Sequence, residues 1–103
     1  MTTETNNYLV RCDNSTAEFL MSEIQKITGT DPRQTDIKGI GGGTEWILFG
    51  TVALDAIKAL LELIKVSIEA GRTIKGIKIG DRELNDPKAT NITELQKRID
   101  ESK

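Results

Sequence analysis

The side chains best suited to chemistry are few in this sequence, and their spacing fits no common catalytic arrangement. The 103 residues include one cysteine, Cys12, and no histidine. Histidine is the commonest general base and metal ligand near neutral pH, so its absence removes both roles. Activating a thiol requires a neighbouring base or an electropositive setting, whereas Asp13 follows Cys12. We therefore expect Cys12 to be a small buried hydrophobic residue, and we expect no catalytic residue, metal site or cofactor.

The glycine-rich segment 39–44 is the only stretch that resembles a cradle for an anion. Consecutive backbone amides in such a loop bind phosphates, especially where a helix begins immediately afterwards. Here a β-prone run follows at 44–49, and Glu45 stands where a phosphate favours a cation. The spacing matches neither the P-loop nor the dinucleotide-binding pattern. We interpret the segment as a flexible connector, and a small nucleotide or anion binder that uses it is the alternative.

Binding to another protein is the function that the remaining side chains favour. The net charge of −2, from 14 basic and 16 acidic residues, argues against a protein that neutralises nucleic-acid phosphates. Lys75, Lys78 and Arg82 can form a small basic strip, but no aromatic residue is interleaved with them as a stacking platform. A lone tryptophan more often belongs to a core, yet tryptophan is also enriched at interface hot spots. The predicted interaction residues are Trp46, Phe49, Lys75, Lys78 and Arg82.

The elements that position these residues follow from hydrophobic periodicity. Segment 8–12 predicts a first strand. The S-x-x-E pattern at 15–18 is a capping box that begins an amphipathic helix, and Gly29 ends this helix. Segments 37–40 and 44–49 predict two short strands of a loose hairpin around the glycines.

Segment 51–70 predicts a long central helix. Its charged residues are spaced by three and four positions and alternate in sign along one stripe: Asp55, Lys58, Glu62, Lys65 and Glu69. Apolar residues occupy most of the remaining circumference, which is more than a peripheral helix shows. We expect the helix to pack on a sheet and to leave apolar surface for self-association or docking. Five charges make a lipid-facing span unfavourable, so we expect no membrane association.

The C-terminal part predicts a hairpin with a two-residue turn at Gly80-Asp81, and a last helix capped by Asn91 with Glu94 in the box position. The complete prediction is a disordered tail over 1–7 and a single α+β domain over 8–103. A small mixed β-sheet packs on the long central helix, in the order β-α-β(β)-α-β-β-α. The N-terminus lacks the features of a signal peptide, and a lone cysteine forms no internal disulfide, so we expect a cytoplasmic protein.

The order of these motifs resembles the effector-associated constant component proteins of bacterial conflict systems. The resemblance spans roughly residues 8–84 and is carried by the glycine run at 41–43, the helix ALDAIKALLELIKVSIEAG and the hairpin IKGIKIGDREL. It implies a non-enzymatic adaptor in antiviral defence that links a sensor protein to an effector such as a peptidase. The expected partner is a co-encoded sensor or effector, or a second copy of the chain. A phage or mobile-element inhibitor that masks a host protein is the alternative.

Overall fold

A computed structural model describes residues 5–38 and 44–101. Within these residues, five strands and three helices follow one another, with a short 3₁₀ turn at Leu54–Ala56 before the second helix. Their bounds are β1 Thr5–Cys12, α1 Asn14–Thr28, β2 Arg33–Lys38, β3 Thr44–Ala53, α2 Ile57–Glu69, β4 Ile74–Ile79, β5 Arg82–Asn85 and α3 Ala89–Glu101. The glycine run at 41–43, interpreted above as a connector, lies outside the described residues.

The five strands form one sheet in the order β2-β3-β1-β4-β5, and every neighbouring pair is antiparallel. The predicted α+β fold is confirmed, but the sheet is antiparallel rather than mixed. Each helical crossover returns the chain two strands away, and the strand in between runs in the opposite direction. This is the split β-α-β arrangement of ferredoxin-like folds. Such folds host many unrelated functions, so the function must be argued from the site.

The pairing of β1 with β3 shows that both strands are longer than predicted. Strand β1 begins at Thr5, which pairs with Ala53, so residues 5–7 of the expected tail belong to the sheet. Strand β3 accordingly extends to Ala53. It includes Val52, whose side chain is 1% exposed and belongs to the core. The predicted helix over 51–70 was thus too long at its start, because long-range strand pairing overrode the local helical pattern. Strand β2 also begins earlier than predicted, at Arg33.

The helix α2 lies between α1 and α3, and its buried residues form a single face: Ile57, Leu60, Leu61, Ile64 and Ser67. The Gln96 side chain of α3 ties the two helices together, since its Nε2 donates to the Lys58 carbonyl oxygen at 3.4 Å and to Glu62 Oε2 at 3.2 Å. Among the described residues, Val66 is the one large hydrophobic side chain classed as exposed, at 49%. The flanking helices cover one face of α2, Val66 stays exposed on the other, and self-association or docking through this helix stays a prediction.

The helix termini use different caps from those predicted. Asp13 is the N-cap of α1, and its Oδ1 accepts a hydrogen bond from the Thr16 backbone N–H at 2.9 Å. Ser15, the predicted cap, lies inside the first turn. Aspartate caps a helix as well as serine does, so Asp13, two residues before Ser15, begins the helix earlier than predicted. Asn91 likewise lies within α3, where its Oδ1 accepts from the Lys88 N–H at 2.9 Å.

Three glycines end or reverse the chain, and two of them, Gly29 and Gly80, do so as predicted. Gly29 ends α1 with φ +77°, and Gly71 follows α2 with φ +86°, in the left-handed region that favours glycine. Gly80 has φ +58° in the two-residue turn between β4 and β5. Its N–H donates to the Asn7 carbonyl oxygen at 2.9 Å, which ties this turn to β1.

Candidate functional site

The three helices supply core residues to one face of the sheet, and the other face carries the candidate site. Side chains of β1 alternate between the faces: Tyr8, Val10 and Cys12 belong to the core, whereas Leu9 points the other way. Leu9 pairs with Phe49, and Ile47 is two residues along β3 on the same face. These three side chains are half-buried and do not belong to the hydrophobic core. We call them the open-face patch.

An arginine on β1 organises the neighbouring part of this face. Arg11 Nη2 donates to Asn85 Oδ1 at 2.6 Å, and its Nη1 is 3.5 Å from Glu45 Oε1. The guanidinium of this β1 residue therefore lies over β4 and contacts one side chain from β3 and one from β5. Gly76 leaves room for this position of the guanidinium, because a Cβ there would collide with it. The charge lies along the sheet surface, beside the open-face patch.

A groove of about 690 Å³ is lined by two residues of the open-face patch, Leu9 and Phe49. Four side chains from four neighbouring strands cross it in one register row: Arg33, Phe49, Leu9 and Lys78. The loop after α1 forms a wall with Thr30 and Asp31, and the Thr30 N–H donates to Thr28 Oγ1 at 3.2 Å. Within the described parts of the chain, neither Arg33 nor Lys78 has a carboxylate at ion-pair distance. The groove thus has an apolar floor with a cationic side chain, Arg33 or Lys78, at each end.

The structure divides the five predicted interaction residues among several places. Phe49 and Lys78 come together on the open face, on either side of Leu9. Trp46 pairs with Cys12, so it lies on the helical face, half-buried against the core. Lys75 is exposed at the irregular register between β1 and β4.

The predicted basic strip is also divided. Arg82 pairs with Ile79, a core residue, and lines a separate groove of about 350 Å³ between β5 and α3, together with Glu94 and Arg98. Lys78 is the neighbour of Ile79 in β4, and it lies on the opposite face because side chains alternate along a strand. The three cations therefore do not form one continuous surface.

Sequence reasoning missed Leu9, Ile47, Arg11 and Arg33 as parts of the site. A signal was present in segment 8–12, where apolar residues occupy three consecutive positions instead of alternating with polar ones. A strand that is apolar in consecutive positions has apolar side chains on both faces. The register that brings Arg33 and Lys78 to the ends of one row has no local sequence signal.

The thiol of Cys12 belongs to the covered face. Cys12 is 0% exposed, which confirms its predicted burial. Burial, with smaller contributions from the Asp13 and Glu45 carboxylates, raises the pKa of this thiol to about 12. The side chain therefore stays protonated near neutral pH and behaves as a small hydrophobic group.

Residues 5–38 and 44–101 contain no group of three or more histidine, cysteine, aspartate or glutamate side chains placed to hold a metal ion. In the same residues, no helix is both long and apolar enough to cross a membrane.

No protein-family model, curated protein or solved structure matches this chain. The resemblance to the effector-associated constant component proteins therefore stays a prediction from the sequence, and the geometry of the open face carries the functional argument.

Proposed function

We propose that this chain is a non-enzymatic protein-interaction module that binds its partner through the open face of the sheet. The observation that carries the proposal is the open-face patch, in which three apolar side chains lie together outside the core. Arg11, Arg33 and Lys78 surround the patch. An apolar centre with a charged rim, rich in arginine, is the usual composition of a protein interface.

The free edge of β2 extends this surface. Among the strands of residues 5–38 and 44–101, β2 pairs with β3 alone, so we propose that its outer edge can pair with a strand of a partner. Residues 33–36 are exposed, and two of them, Arg33 and Asp36, are charged. Charged side chains on an edge strand oppose indiscriminate pairing and favour a partner with complementary charges.

An adaptor that links a sensor to an effector needs two separate surfaces, and the fold supports this form of the proposal. The open face is one surface. The groove between β5 and α3, lined by Arg82, Glu94 and Arg98, lies on the side of the sheet that carries the helices. Two partners bound at these places would contact opposite sides of the domain.

The test compares two charge introductions at exposed or half-buried apolar sites. Ile47→Asp alters the open-face patch, whereas Val66→Asp is the matched control on the exposed side of α2. The tagged chain is co-expressed with each protein encoded beside it, and the affinity of each purified pair is measured by calorimetry. We expect Ile47→Asp to weaken binding at least tenfold and Val66→Asp to leave it unchanged.

Circular dichroism and thermal unfolding establish that both variants are folded. Full binding by a folded Ile47→Asp variant would contradict the proposed surface. Absence of binding between the wild-type chain and every co-encoded protein would contradict the adaptor role.

A further inference from the structure

We propose that the groove lined by Leu9 and Phe49 of the open-face patch binds a small aromatic carboxylate. This inference goes beyond the proposed function because its ligand is a small molecule. The groove volume of about 690 Å³ falls within the range of roughly 300–1,000 Å³ that is usual for small-molecule sites. A ligand with two fused rings fits this volume.

The floor of the groove selects a planar apolar group. Phe49 and Leu9 are cross-strand partners in the register of β1 and β3, so their side chains lie next to each other. Both are half-buried and outside the core, which leaves one side of each available. A rigid aromatic ring covers such a surface with little loss of conformational entropy and pairs favourably with the phenylalanine ring.

The charged side chains differ between the two ends of the groove and so orient an anionic ligand. Lys78 lies at the β4 end of the row, and Arg33 lies at the β2 end, where Asp31 also lines the wall. The Asp31 carboxylate lines the groove near Arg33, whereas Lys78, Asn7 and Gly80 bring no carboxylate to the other end, so we assign the anion to the Lys78 end. Glu83, the cross-strand neighbour of Lys78, is not among the residues that line the groove.

These charges favour a carboxylate at the Lys78 end with its ring towards Arg33. Asn7 and Gly80 line the same end. The planar guanidinium of Arg33 can stack on the far ring of the ligand. A single negative charge suits the site better than a phosphate dianion, because Asp31 repels each additional charge.

The test titrates the isotope-labelled full chain with 1-naphthoate and, in parallel, with neutral 1-naphthamide, and follows backbone amide shifts by NMR. We expect saturable shifts at Leu9, Phe49 and Lys78, and an affinity for naphthoate about fivefold higher than for naphthamide. Lys78→Met should remove most of that preference. Asp31→Asn should tighten naphthoate binding about twofold, and Phe49→Ala should weaken both ligands.

The control is Lys75→Met, because Lys75 is an exposed lysine of the same strand that does not line the groove. This variant should bind naphthoate as the wild type does. Equal affinity for the two ligands, equal effects of Lys78→Met and Lys75→Met, or shifts centred outside the groove would each overturn the proposal. The experiment contains no protein partner, so its failure leaves the test of the protein interface unaffected.

Discussion

The two faces of the sheet differ in how deeply their side chains are buried. Adjacent residues of β1 illustrate the division: Val10 is 0% exposed in the core, whereas Leu9 is half-buried in the open-face patch. The covered face packs apolar side chains under three helices. The open face mixes three apolar side chains with arginine, lysine and glutamate. The covered face therefore holds the hydrophobic core, and the open face is the surface that we propose for recognition.

The largest expected difference between the faces comes from two leucines on neighbouring central strands. Leu48 is 0% exposed on the covered face, so Leu48→Ala should lower the free energy of unfolding by about 2–5 kcal/mol. Leu9→Ala removes a half-buried side chain from the open face and should cost about 1 kcal/mol. Urea denaturation measures both changes. Equal losses would show that the open face is as tightly packed as the core.

Two glycines make a second comparison, with a smaller effect. A Cβ at Gly50 would lie 2.9 Å from Oη of Tyr8, whose ring is buried on the covered face. Gly50→Ala should therefore destabilise the fold by about 1–3 kcal/mol. At Gly76 the obstacle is the flexible end of Arg11 on the open face, which can move aside.

Gly76→Ala should accordingly cost about 1 kcal/mol, the net value of the hydrogen bond from Arg11 to Asn85. Thermal unfolding of the two variants gives the comparison. A larger loss for Gly76→Ala than for Gly50→Ala would contradict this assignment of the two faces.

The buried thiol predicts a dependence of stability on alkaline pH. The pKa of Cys12 rises from 9.0 to about 12 in the folded chain. Above pH 9 the unfolded chain ionises this thiol while the folded chain keeps its proton, so stability falls as pH rises. The Cys12 contribution to this fall is about 1.4 kcal/mol per pH unit at most.

The measurement is the free energy of unfolding between pH 7 and 10 for the wild type and Cys12→Ala. The wild type should lose more stability than the variant above pH 9, and Tyr8, whose pKa burial also raises, contributes equally to both. Parallel curves for the two proteins would contradict a buried, protonated thiol.

The smallest of these effects distinguishes the two candidate caps of α1. Asp13→Ala removes the acceptor of the Thr16 N–H and should cost about 1 kcal/mol. Asp13→Asn keeps an acceptor and should cost less, and Ser15→Ala should have little effect, since Ser15 lies inside the helix. Chemical denaturation of the three variants is the test, and a larger loss from Ser15→Ala than from Asp13→Ala would restore the predicted capping box.

The sequence predicted those features of the fold that local interactions determine. The α+β class, the first helix with Gly29 at its end, and the Gly80-Asp81 turn each depend on a few neighbouring residues. The extra residues of β1 and β3 were missed because Thr5 and Val52 are strand residues only through their pairing with distant partners. Hydrophobic periodicity contains no information about that register.

The candidate site was predictable only in part for the same reason. Phe49 and Lys78 were identified from residue type, but the row that joins them includes Leu9 and Arg33 from two other strands. Trp46, identified by the same reasoning as Phe49, lies on the other face because side chains alternate along β3. Residue type indicated which side chains can recognise a partner, and the sheet register decided which of them share a surface.

The most direct test of the central claim is a methyl NMR titration of the chain with a co-encoded protein that binds it. Isoleucine, leucine and valine methyl groups report on both faces and on α2 in one spectrum. The account predicts that the methyl groups of Leu9 and Ile47 shift or broaden first, while those of Leu61, Ile64 and Val66 keep their positions. Perturbations confined to the methyl groups of α2, with Leu9 and Ile47 unchanged, would contradict the claim that the open face is the binding surface.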